Sequence, residues 1–406
     1  MRRATQLAVL GSLLVLAVIG ATAAQPVITG VSIPDASMKI GDVVTATISV
    51  QSDSATTYTL SASNIGGYAL SDLSKQNSTT YTAQFTITAG GTDYAAGADI
   101  PTSVTLADGA LTDTWTAAIS QSNDPIDANV PTVTVNIVDT LLSDTDDSSN
   151  VTFEFSEDVQ NFTTDDLTPA NGALSSFTTI DADSYSVTFT ATDGIDGTGS
   201  VAVGAGTYAD LAGNNGAAGS DMVNIDTLNP TATALTRDDP NPTNAAQVYM
   251  QLDFSESVSG VETANFSIDA TGGQTGGSVD SVGLIGGASW WVLLNTVDDA
   301  EGTLSIDLDL GLSGITDDAA NELTAAYTAG QAYDVDRLDP TVTVDFVDTQ
   351  LTDSDTQSLV TFEFSEAVTG FDETELTPTN GALGSFTTID ADSYTVVTGP
   401  PWSVHF

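Results

Sequence analysis

Cysteine is absent from the 406 residues, histidine occurs once, at His405, and Lys plus Arg number only 6. Without thiols there is no disulfide framework, no cysteine nucleophile and no thiolate zinc site. A single histidine next to the last residue provides no Ser-His-Asp arrangement. Against those few cations stand 55 Asp plus Glu, for a formal net charge of −49. Such a polyanion repels phosphate backbones and anionic headgroups, so neither nucleic acid nor anionic lipid suits it as a partner, and divalent cations do. Glutamate is scarce as well, because 45 of the 55 acids are Asp, a residue of turns, caps and oxygen-ligand loops rather than helix faces. What the chain does hold is 41% hydrophobic residues rich in Val, Thr, Phe and Tyr, the composition of a folded all-β protein and not of an acidic disordered tail.

Residues 1–24 carry Arg2 and Arg3, an apolar stretch over 7–19 and then Ala21-Thr22-Ala23-Ala24, the order of a secretory signal peptide. After Gln25 nothing resembles a membrane span. The expected product is secreted or exposed on the cell surface, with Lys39, Lys75, Arg237 and Arg337 as its remaining cations.

Self-comparison is the most informative step. Residues 131–187 realign without gaps on 340–396, an offset of 209, with 39 of 57 positions identical. A weaker third copy begins at Pro230, where Phe254-Ser255-Glu256 stands for Phe155-Ser156-Glu157 and Phe364-Ser365-Glu366. A repeat of about 100 residues is too long for a solenoid and suits one β-sandwich of about seven short strands. In the second unit the alternation predicts strands over 132–138, 151–155, 166–168, 177–180, 185–192, 200–208 and 222–225, with an Asp-rich turn at 140–150. The expected domains are 25–127, 128–227, 228–337 and an incomplete 338–406. The first of these is of different wording and lacks Phe-Ser-Glu. In the fourth, the match to the second stops at Val396, in mid-strand, so the last two strands of its sandwich are missing; a truncated or shifted reading frame, or strands from another chain, would account for that.

The three Phe-Ser-Glu units, the Asp210-Leu211-Ala212-Gly213-Asn214 loop and the joints Ile126-Asp127, Ile225-Asp226 and Val335-Asp336, each with Pro four residues after the Asp, resemble the bacterial immunoglobulin-like repeats of large secreted, biofilm-associated adhesins. That resemblance implies tandem immunoglobulin-like β-sandwich domains in a rod-like array, serving as a structural or adhesive extender. It implies no catalysis.

Sandwich geometry sorts the acids. Residues just after the second strand and those between the last two strands lie beside the incoming linker, which for the second unit groups Glu157, Asp210 and Asn214 with Asp127 and Asn129. The third unit offers Glu256, Asp317 and Asn321 with Asp226, and the fourth offers Glu366 with Asp336. Calcium takes six to eight oxygens in irregular geometry, which such clusters of Asp, Asn, Glu and carbonyls supply, so calcium at the joints is the expected cofactor. Solvated loop acids in a saline habitat are the plain alternative for the same residues. Two further readings come from other classes. Trp290-Trp291 suggests a glycan-binding module, although adjacent strand residues face opposite sides, and the open fourth domain suggests a subunit of a surface lattice or fibre. The expected partners are calcium ions, with surface glycans or other cell-surface proteins as further candidates.

Overall fold

The computed structural model describes residues 25–52, 57–122, 126–309 and 314–400. Residues 1–24, expected to be a signal peptide, and His405 lie outside the described residues. The chain divides into two units, 1–228 and 229–406. Every long element is a β-strand, and the four helices among the described residues are 3-10 turns. None of them is long and apolar enough to cross a membrane.

The first unit holds two sandwiches. In the leading one, Ile28–Ser32, Val43–Val50, Thr80–Thr86 and Ser71–Lys75 form one sheet; Leu111–Trp115, Thr102–Asp108, Thr59–Ile65 and Tyr68–Ala69 form the other. Ile48, Tyr81, Phe85, Ile100 and Leu106 fill the space between them. The second sandwich sets Val133–Ile137, Ser148–Phe155, Ser184–Ala191 and Gly172–Thr179 against Leu141–Leu142, Gly219–Asp226, Asp196–Val203 and Leu167–Ala170. Its strands are strands because they alternate: Ser148–Phe155 buries Val151, Phe153 and Phe155 and turns Asn150 and Glu154 to solvent. A cluster of edge-on rings, Phe155, Phe162, Tyr185 and Tyr208, packs the end nearest the incoming linker.

Several expected boundaries shift, and the strands placed at 177–180 and 222–225 already start at Gly172 and Gly219. The Asp-rich turn is shorter than 140–150, because Leu141–Leu142 pairs in parallel with Asn224 and Ile225 and the next strand already starts at Ser148. The strand placed at 200–208 runs over Asp196–Val203 instead. Gly199, outside the expected strand, is a packing device: a Cβ there would stand 2.6 Å from Ile225 Cδ1, so only glycine lets Ile225 and Phe189 close over that strand.

In the second unit, Ala232–Arg237, Gln247–Phe254, Ser289–Asn295 and Ser278–Gly286 face Phe266–Ala270, Glu301–Leu308 and Tyr333–Asp336 around Met250, Leu252, Leu294, Ile306 and Tyr333. The remaining sheet, Val342–Phe346, Ser358–Phe364, Ser393–Gly399 and Ala382–Thr388, has no second sheet over it among the described residues. These domains are immunoglobulin-like sandwiches, of which the last shows one sheet among the described residues.

Candidate metal centre

Short pairings fix the first joint. Ile126–Asp127 runs parallel to Met38–Lys39, and Ile126 exchanges two 2.9 Å backbone hydrogen bonds with Tyr94, so Asp127 is clamped between two segments of the leading sandwich. Past Phe155, the Ser156 hydroxyl accepts from Thr132 N at 2.9 Å while Ser156 N donates to Thr132 O at 2.9 Å. Ser255 with Thr231 and Ser365 with Thr341 repeat this latch. The serine of Phe-Ser-Glu therefore ties the start of each sandwich to the end of its second strand, which aims the following Glu at the incoming linker. Val159–Gln160 then pairs with Ala209–Asp210 and brings the loop around Asp210 alongside.

Three carboxylates meet there. Oxygens of Asp127, Glu157 and Asp210 all lie within 4.8 Å of one another. Asp210 is fully buried and organises its own loop: Oδ1 accepts from Gly213 N at 2.6 Å and Asn214 N at 2.8 Å, and Oδ2 from Asn214 Nδ2 at 2.8 Å. A carboxylate has about four lone-pair sites, so one remains. Asn214 Nδ2 also reaches the Asp127 carbonyl at 3.2 Å, and its Oδ1 accepts from Ile40 N at 2.9 Å. Asn129 N donates to Asp127 Oδ1 at 3.1 Å.

Crowding shows in the electrostatics. Burial first, then the charges of Asp127, Asp210, Asp93 and Asp158, push the Glu157 carboxyl up to about 7. Asp127 is raised as well, by burial against the opposing pull of the Asn129 N–H, and by Asp210 and Asp93. Burial and the Glu157 charge push the Tyr208 hydroxyl up to about 12. Two oxygens on opposite sides of one calcium ion are about 4.6–5.2 Å apart, so a single bound ion would span the three carboxylates and relieve this repulsion, with waters completing its shell.

Two participants left no sequence signal. Asp93 takes Ala128 N at 2.7 Å on Oδ1 and Asn129 Nδ2 on Oδ2. Lys39 Nζ donates to the Gly213 carbonyl at 2.8 Å. Both belong to the leading sandwich, whose wording is not repeated elsewhere in the chain.

In the third domain Glu256 and Asp317 also present oxygens within 4.8 Å of each other. Asp317 repeats the loop box: Oδ1 accepts from Ala319 N and Asn321 N, and Oδ2 from Asn321 Nδ2 at 2.8 Å. Asp226 ends the last strand of the second domain, opposite Asp196. Asp336 and Glu366 belong to no such cluster among the described residues. The loop that supplies Asp210 in the second domain has no counterpart in the described part of the fourth. Next to Asp336, Arg337 Nη2 pairs with Asp298 Oδ1 at 2.6 Å, so that joint carries its own cation. Trp290 and Trp291 are both half-buried. Trp291 lies over Gly283 and edge-on to Tyr249, as a cover for the sheet.

Residues 127–227 and 336–405 match the sequence profile of a bacterial Ig-like domain. No curated protein sequence matches the chain. Among solved structures, it is similar to invasin, a bacterial integrin-binding protein, at 12% identity over 83% of this chain and 76% of that one, with a TM-score of 0.25. InvD of Yersinia pseudotuberculosis aligns at 16% identity over 75% and 86%, TM-score 0.24. The mouse nectin-like molecule 4 ectodomain aligns at 10% over 72% and 95%, TM-score 0.28.

Proposed function

We propose that this chain is a secreted or cell-surface spacer of tandem Ig-like sandwiches, adhesive or structural in role and without catalysis, in which calcium stiffens the joint between the first two domains. The observation that carries the reading is the convergence of Asp127, Glu157 and Asp210, drawn from a linker, a strand end and a loop, on a space that one calcium ion spans. A linker already held by backbone pairing to one sandwich and by the Asn214 amide to the other needs only a shared cation to lose its remaining freedom. Extracellular modules hold calcium at about 0.1–1 mM, so the joint would be loaded outside a cell and empty inside one. Secretion fits that requirement.

Titration calorimetry of the full chain with calcium, in parallel with small-angle scattering, tests this. The expected result is calcium uptake in that concentration range with a narrower distribution of particle dimensions, unmatched by magnesium at equal ionic strength. Scattering that is unchanged while calcium binds would keep the site but sink the stiffening. No uptake above that of a simple salt would sink both.

A further inference from the structure

In the third domain the sheet through Gln247–Phe254 and Ser289–Asn295 turns Val248, Met250, Val292 and Leu294 into the core, so the residues between them face solvent. There Tyr249 stands opposite Leu293, and Gln251 opposite Trp291. The same outward positions hold Asn150, Thr152, Ser186 and Thr188 in the second domain and Leu359, Thr361, Thr395 and Val397 in the last sheet. In the leading sandwich the two central strands turn Thr45, Thr47, Thr82 and Gln84 outward. Of these four faces only the third domain's carries rings. Trp290, the sequence neighbour of Trp291, packs against the core instead, so the aromatic partner of Trp291 is Tyr249, which is 42% exposed. Trp291 lies down on the sheet because Gly283, opposite it on the edge strand, has no side chain: a Cβ there would stand 2.4 Å from Trp291 Cζ2. The two rings are 5.9 Å apart at 83°, so the indole is a floor and the phenol a wall. Beside them Gln251 Nε2 donates to Asp253 at 2.9 Å, which leaves Gln251 Oε1 to accept a hydroxyl.

We propose that Trp291 and Tyr249 form a binding platform for a neutral glycan, one sugar ring seated in the corner between them with a hydroxyl on Gln251. A sugar ring offers a C–H face to an aromatic ring and hydroxyls to an amide, which is the chemistry this corner presents. Charge selects against acidic glycans. Residues 281–297 carry no charge, Arg237, the cation of this sheet, is turned inward onto Tyr333, and a chain of net charge −49 repels polyanions. Size selects against a protein partner, because Tyr249, Trp291 and Leu293 together expose under about 300 Å², where a stable protein interface takes about 800 Å² from each side. The platform lies within one domain and needs no metal, so it stands apart from the calcium joint.

The test screens the full chain, in EDTA, on an array of neutral and acidic oligosaccharides and follows the retained ones by titration calorimetry. At least one neutral glycan should bind one-to-one, equally in EDTA and in calcium, and no acidic one should bind more tightly. Trp291→Ala and Tyr249→Ala should each weaken it at least about tenfold. Tyr249→Ala changes an exposed side chain and should leave the melting temperature unchanged, which separates lost contacts from lost folding. Ser186→Ala, at the position of the second domain that corresponds to Trp291, should bind as the wild type does. No neutral glycan retained, an acidic one preferred, binding that needs calcium, binding indifferent to both ring deletions, or an equal loss in Ser186→Ala overturns the proposal. So does self-association in sedimentation that Trp291→Ala abolishes, since a second copy would then hold the face.

Discussion

Glu157→Gln is the sharpest perturbation of the first joint, because it removes a charge while keeping the shape and none of the loop hydrogen bonds runs through that side chain. Without metal, Glu157 ionises against its burial and the charges of Asp127, Asp210 and Asp93, which together push its carboxyl up to about 7. At pH 8 in EDTA the variant should therefore melt above the wild type. With calcium the order should reverse: at a dissociation constant of about 0.1–1 mM, 10 mM calcium stabilises a filled site by about 1.4–2.7 kcal/mol. For a cooperative unit of about 200 residues this is a rise of about 3–11 °C in the wild type, and most of it should vanish in the variant. The assay is calorimetric melting of the full chain in EDTA, in calcium and in magnesium at matched ionic strength. Melting curves of wild type and variant that never cross, or equal rises with magnesium and sodium chloride, would refute the reasoning and leave only a screened acidic surface. Asp210→Ala is the poorer probe, since it also strips three loop hydrogen bonds, at a cost of about 1–3 kcal/mol for each buried donor left unpaired.

Without metal, the native state keeps a proton on Glu157 that the unfolded chain loses near pH 4.5, so stability should fall as pH rises from about 4.5 to 7. Urea midpoints of wild type relative to Glu157→Gln check this, and a flat difference across that window would contradict it. Tyr208→Phe removes a buried hydroxyl that sits 2.9 Å from the Ala217 carbonyl and 3.1 Å from that of Pro131; a loss of about 1–2 kcal/mol is expected in urea denaturation. Lys39→Met deletes the bond to the Gly213 carbonyl, which should cost about 1 kcal/mol and speed amide exchange at Ile40, whose N–H reaches across to Asn214.

The repeat made much of this legible. Thirty-nine identities over 57 positions define a domain copied whole, and the topology of a seven-strand sandwich is enough to place Glu157, Asp210 and Asp127 at one end. Asp93 and Lys39 were out of reach because they stand in a sandwich with no second copy to compare. The double duty of Asp210 was hidden for another reason: whether a carboxylate binds its own loop depends on the path of four residues of backbone, which no periodicity encodes. The serine of Phe-Ser-Glu was visible as a recurrence, yet its role is a contact 24 residues away in sequence with the threonine that starts the sandwich. Gly199 fell outside the strand expected at 200–208, because its packing under Ile225 and Phe189 leaves no mark in the alternation.

Val344, Phe346 and Leu351 are large apolar side chains exposed among the described residues, a surface on which copies of the chain would stack. The protection is colloidal. Two copies of a chain with a net charge of −49 repel each other over the screening distance, about 10 Å at 0.1 M salt. Near 1 M salt that distance shrinks to about 3 Å, and below the carboxylate pKa range the charges themselves disappear. The acidity of the loops thus also keeps copies of the chain apart, an effect that weakens with added salt and at low pH.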